Sequence, residues 1–232
     1  MKIGIMQPYL FSYLGYFQLI KSVDKFIVLD DVNYIKGGWI NRNSLLIDKR
    51  KGRFTVPLKK SSSFKPINEI KISDNSKWKI KLLKTINQNY KDAPYYNTVI
   101  PVLSNIINSE HQNISELIYF SLTQLNDYLC IDTLIIKSSI IYDNKHLIGQ
   151  ERVIDICKQE MASHYINAIG GQDLYDPKFF LKNNIKLNFI QSSIPEYVQF
   201  QNDFVPGLSI IDVLMFNSKE EVGVMLKDYN LV

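Results

Sequence analysis

KIGIMQPYLFSYLGYFQLIKSVDKFIVLDD, residues 2–31, decides how this chain is organised. Residues 2–6 form a short apolar run of strand character. Residues 14–23 carry apolar side chains at helical spacing, and residues 25–29 (KFIVL) form a second strand that ends at Asp30 and Asp31. Strand, helix and strand within 30 residues make a βαβ unit, which implies a parallel sheet with ligands at the carboxyl ends of its strands. Gln7, Tyr9, Asp30 and Asp31 occupy those ends.

The rest of the chain extends this pattern. Residues 54–58 and 67–72 read as strands joined by the turn SSSFKP, and residues 76–89, 100–108 and 114–129 as helices. A strand at 133–137, a helix at 151–161, a strand at 163–167, the glycine turn IGGQDLY and a strand at 187–190 close the sequence. The expected fold class is α/β: a Rossmann-like parallel sheet core with a mainly helical middle section. The 232 residues form one α/β domain, with residues 54–130 as an inserted, more basic and helical lobe.

Composition excludes several classes. The chain is 46% hydrophobic and 22% charged, which is ordinary for a globular protein. No stretch reaches the about eighteen uninterrupted apolar residues of a membrane span, and the N-terminus lacks signal-peptide organisation, so a cytoplasmic protein is expected. Cys130 and Cys157 lie far from any CxxC spacing and are read as buried free thiols. No cluster of three carboxylate or histidine ligands marks a metal site. The net charge of +4 and the absence of a nucleic-acid-binding motif do not call for a polymer partner. The basic residues are nevertheless uneven: DKRKGR, PLKKSSSFK and KWKIKLLK follow one another between Lys49 and Lys91, either to meet a phosphate-bearing ligand or as a solvated face.

Polar residues concentrate in two places. In the first, Phe11, Leu14 and Phe17 belong to a helix face that packs on the sheet, whereas Gln7, Tyr9, Tyr13 and Tyr16 have polar ends that need partners near a strand terminus. The second is DDVNYIKGGWINRNSL. Asp30 or Asp31 is a candidate general base; strand alternation lets only one of them reach a shared site, and Lys36 and Arg42 would keep it ionised. Trp39, Asn41, Arg42 and Asn43 offer stacking, a planar fork for a diphosphate and amides for sugar hydroxyls. Ser138 and Tyr175 are weaker substrate-binding candidates. Ser209 reads as a helix N-cap with Asp212 completing a capping box, and Asp212 is the alternative base. No GxSxG elbow or histidine spacing marks a nucleophilic serine.

IMQPYLFSYLGYFQLI, FIVLDDVNYIKGGWINRNSL, NQNYKDAPYY, GQERVIDICK, GGQDLYD and LSIIDVLMFN together resemble the WbqC-like proteins over nearly the whole chain. The sequence departs from that family's pattern at Ser12, usually proline, and at Leu82, often histidine, which argues against a catalytic histidine there. The resemblance implies a role in surface-polysaccharide (O-antigen, lipopolysaccharide) biosynthesis. The expected activity is a transferase that N-acylates or aminoacylates a nucleotide-linked amino sugar. No pantetheine or coenzyme A motif names the acyl donor, no cofactor is indicated, and the oligomeric state is left open.

Nucleotidyltransferases and pantoate-ligase-like enzymes offer a parallel, with His-x-Gly-His after their first strand. Tyr13-Leu14-Gly15-Tyr16 takes that place here, and Gly15 would let a ligand approach the helix start. Phenols do not supply the positive charge that adenylyl transfer wants. An ATP-using ligase or nucleotidyltransferase, and a non-catalytic nucleotide-sugar-binding protein of glycan assembly, are therefore the alternatives.

Overall fold

A computed structural model of the chain describes residues 1–200 and 203–232. Among the described residues, ten strands and eight α-helices follow in chain order. The first βαβ unit is β1 (Lys2–Met6), α1 (Leu14–Lys21) and β2 (Lys25–Val28). Two small hairpins come next: β3 (Arg42–Ile47) with β4 (Arg50–Thr55), and β5 (Leu58–Lys59) with β6 (Lys71–Ile72). The long helices α2 (Lys77–Tyr90), α3 (Tyr96–Asn108) and α4 (Ile114–Leu129) lead to β7 (Leu134–Ile136). The C-terminal part comprises α5 (Gly149–Gln159), β8 (His164–Ala168), α6 (Pro177–Lys182), β9 (Lys186–Ser192), α7 (Ile210–Phe216), α8 (Lys219–Met225) and β10 (Tyr229–Leu231).

The central sheet runs β10-β9-β8-β1-β2-β7. All neighbours are parallel except β10, which pairs antiparallel with β9. Strand alternation divides its side chains between two layers. Ile3, Ile5 and Ile27 join a buried cluster with Ile156 and Cys157 of α5 and Phe180 of α6. Phe26 and Val28 join the other cluster, which holds Leu14 and Phe17 of α1 and the apolar faces of α2 to α4. Helices thus cover both faces, as a Rossmann-like α/β fold requires. β1 pairs with β2 on one side and β8 on the other, so the order reverses between β1 and β8.

Of the β3–β4 hairpin, only Phe54 and Thr55 fall in a strand expected from sequence. Its two-residue turn, Asp48-Lys49, has φ of 49° and 62°, so two residues without glycine's freedom adopt the backbone of a tight hairpin. The expected strand at 54–58 is divided at Pro57, which has no amide hydrogen to give a ladder. Residues 67–72 form a 3₁₀ turn, Ile67–Glu69, before the two-residue β6. Cys157 is buried, and burial pushes its thiol up to about 12. Cys130 is exposed instead, because it takes the left-handed C-cap position of α4 with φ 52°.

Candidate functional site

The carboxyl ends of β2 and β7 lie side by side, and the chemistry concentrates there. β2 leads directly to Asp30 and Asp31, and β7 leads to Ser138 and Ser139. Both aspartates are buried, at 3% and 7% exposure. The Asp30 carboxylate accepts hydrogen bonds from Ser138 Oγ at 2.5 Å and from Ser115 Oγ, in the first turn of α4, at 2.6 Å. Burial pushes its pKa up, against the pull of the two hydroxyls, and the neighbouring Asp31 charge raises it further. Asp31 faces the opposite side. Arg152 Nη2 of α5 lies 2.6 Å from both of its oxygens, and Ser139 Oγ donates to it as well. Asn144 accepts from Arg152 Nε at 2.9 Å and donates to Asp155, fixing the guanidinium plane.

Asp30 lines a cavity. This cleft, of about 340 Å³, is also lined by Lys71, Gln112, Ser115, Glu116, Lys137 and Ser138. Lys137 reaches Glu116 at 3.2 Å across the rim. Each Asp30 oxygen accepts from one serine hydroxyl, and a carboxylate has further acceptor positions. The arrangement can take a proton from a group held in the cleft, and its amides and hydroxyls can bind several ligand hydroxyls. Among the described residues, no group of three or more His, Cys, Asp or Glu is placed to hold a metal ion.

The other residues singled out in the sequence fall into two sets. One has internal partners. Tyr16 is 1% exposed and donates to the Gln7 carbonyl at 2.9 Å. Asn41 is bonded to Tyr34 and the Val56 carbonyl. Asn43 donates to the Phe11 carbonyl at 2.7 Å and holds a residue whose φ is 46°. Tyr175 packs among Tyr165, Phe180 and Phe189. Gly15 has a packing reason: a Cβ there would lie 2.5 Å from Ser192 Oγ and 2.6 Å from the Tyr13 ring.

The second set lies at the surface. Tyr13, Lys36 and Trp39 are exposed, and the Arg53 guanidinium sits 5.8 Å from the Trp39 ring. Arg42 is half-buried and donates from Nε to the Gly38 carbonyl at 2.8 Å. Gln7 and Tyr9 are half-buried at the end of β1, beside the switch point, with Tyr9 5.7 Å from the Tyr16 ring. The Gln7 side chain has no hydrogen-bond partner among the described residues.

Asp212 is wholly buried. It accepts from Tyr90 at 2.8 Å, Tyr197 at 2.6 Å and Gln199 at 2.7 Å, so it ties α7 to α2 rather than completing a capping box. Ser209 does cap α7, accepting from the Ile211 amide.

A model of the WbqC-like protein family matches residues 7–224. The chain belongs to the WbqC-like protein family. This WbqC-like protein is also 29% identical, over 231 residues, to the uncharacterized protein Rv1507c of Mycobacterium tuberculosis (strain ATCC 25618 / H37Rv). That alignment covers 98% of this chain and 96% of the relative. No solved structure matches. Within the family sequence blocks, GQERVIDICK gains a physical role: its Arg152 is the counter-ion of Asp31. Ser115, Lys71 and Lys137 were not singled out by motif, since each is an ordinary surface-type residue until the fold brings it beside Asp30.

Proposed function

We propose that this WbqC-like protein is a transferase that acylates the amine of a nucleotide-linked amino sugar, with Asp30 as general base. The observation that carries the reading is the division of labour between the two aspartates: Asp31 is neutralised by Arg152, while Asp30 accepts from the Ser115 and Ser138 hydroxyls and lines a cleft. A cleft of about 340 Å³ stands at the lower end of the roughly 300–1,000 Å³ range of small-molecule sites. It suits the sugar end of such a substrate.

The chemistry follows from the groups present. The Asp30 carboxylate takes a proton from the neutral sugar amine as its nitrogen attacks the carbonyl carbon of an activated acyl donor, and then passes that proton to the leaving group. A C–N bond forms, the bond to the leaving group breaks, and the leaving group departs with its electron pair. Lys71 and Lys137, at the cleft wall, favour the anionic parts of the substrate. The family resemblance to polysaccharide-associated proteins supports the choice of an amino sugar.

Calorimetry over a panel of nucleoside-diphosphate amino sugars tests the substrate class. Binding by wild type and by Asp30→Asn alike is expected, because the amide preserves the shape of the cleft. Uniform failure to bind would overturn this reading and favour the ATP-using ligase or nucleotidyltransferase.

A further inference from the structure

Apart from Lys71, the basic stretch between β4 and α3 is not used by the reading above, and its geometry has a use. β5 and β6 pair so that Lys59 stands directly opposite Lys71. Opposed residues of an antiparallel pair project from the same face, where two like charges destabilise the ladder. A two-stranded ladder of two residues each has little else to offset that cost.

Both lysines line a second cavity of about 470 Å³, which also receives Trp78, Lys79 and His111. Lys71 and Gln112 line this cavity and the Asp30 cleft alike, so the two adjoin at Lys71. Lys59 is paired with Asp74 at 2.6 Å, but that carboxylate is 83% exposed, and such a surface pair gives way readily. Lys79 is engaged with the carbonyls of Asn108 and Ser109 at the end of α3. Lys71 makes no ion pair among the described residues and stands at the junction.

We infer that this second cavity binds the nucleoside diphosphate portion of the substrate, with the diphosphate between Lys59 and Lys71 and the base against the Trp78 indole. The inference rests on the proposed sugar site, since it places the anhydride link at the point where the two cavities meet. It assigns the nucleotide to the β5–β6 hairpin rather than to the start of α1. A bound diphosphate offsets the repulsion between the opposed lysines, and aromatic stacking holds a base of any identity.

The test uses free nucleoside diphosphates, which carry no sugar. The chain has two tryptophans, so Trp39→Phe leaves Trp78 as the sole indole reporter. Saturable quenching by UDP, CDP, GDP or ADP is expected, with pyrophosphate competing and the bare nucleosides far weaker. Lys59→Met and Lys71→Met should each weaken binding by about 10- to 100-fold. Without ligand, Lys71→Met should melt at or above the wild-type temperature, which shows that the loss is not unfolding. Absence of quenching, or binding indifferent to both lysines, overturns the assignment even if Asp30→Asn abolishes transfer. Conversely, lysine-dependent quenching with undiminished transfer by Asp30→Asn supports the nucleotide site and overturns only the base.

Discussion

Asp30 and Asp31 are consecutive residues at the end of one strand, yet among the described residues only Asp31 is ion-paired: Arg152 Nη2 is 2.6 Å from both of its oxygens, while Asp30 is bonded to Ser115 and Ser138. Alternation along the extended chain produces this split, sending one side chain toward α5 and the other toward α4. The two therefore answer differently to substitution.

Arg152→Met should destabilise the fold by about 3–5 kcal/mol, because it leaves the Asp31 carboxylate buried without its partner. Urea denaturation measures this. The Asp31→Asn, Arg152→Met double variant should be less destabilised than the sum of the single changes; strict additivity would contradict the pairing.

Gly15→Ala tests whether that glycine serves packing or a ligand. The added Cβ meets Ser192 Oγ at 2.5 Å and the Tyr13 ring at 2.6 Å, so overpacking should cost about 1–3 kcal/mol. Ser192→Ala in the same chain should restore part of the stability. Unchanged stability with lost nucleotide binding would show instead that the start of α1 holds the ligand.

Asp212 gives a pH signature. Burial holds its pKa above the ordinary carboxylate value, with hydrogen bonds from Tyr197, Tyr90 and Gln199 opposing that rise. A carboxyl whose folded pKa is raised favours the folded state in its protonated form. Its contribution is full below the unfolded value of about 3.9 and is lost as pH rises through the higher folded value. Relative to Asp212→Asn, wild type should therefore lose stability from about pH 4 upward, until Asp212 is ionised in the folded state. A stability difference that stays flat over this interval would contradict the assignment.

The β1-α1-β2 unit was legible because its periods are clean and each element buries what its pattern implies. The β3–β4 hairpin was not, since Asp48-Lys49 carries none of the glycine or asparagine that normally marks such a turn. Asp30 could be picked out as a strand-end carboxylate, but its distinction from Asp31 lies in Ser115 and Arg152, 85 and 121 residues away. Asn41 and Asn43 read from sequence as ligand-directed amides, and in the fold they donate to the backbone carbonyls of Val56 and Phe11, 15 and 32 residues away, which no local pattern announces.

The most direct measurement is the pH dependence of acyl transfer to a nucleotide-linked amino sugar, followed by mass spectrometry of the sugar, for wild type and Asp30→Asn. The wild-type rate should rise with pH through the raised pKa of Asp30 and then level off. Asp30→Asn should retain sugar binding, lose that rise, and transfer about 10²- to 10⁴-fold more slowly. Transfer by Asp30→Asn at the wild-type rate, with the same pH profile, would contradict the account.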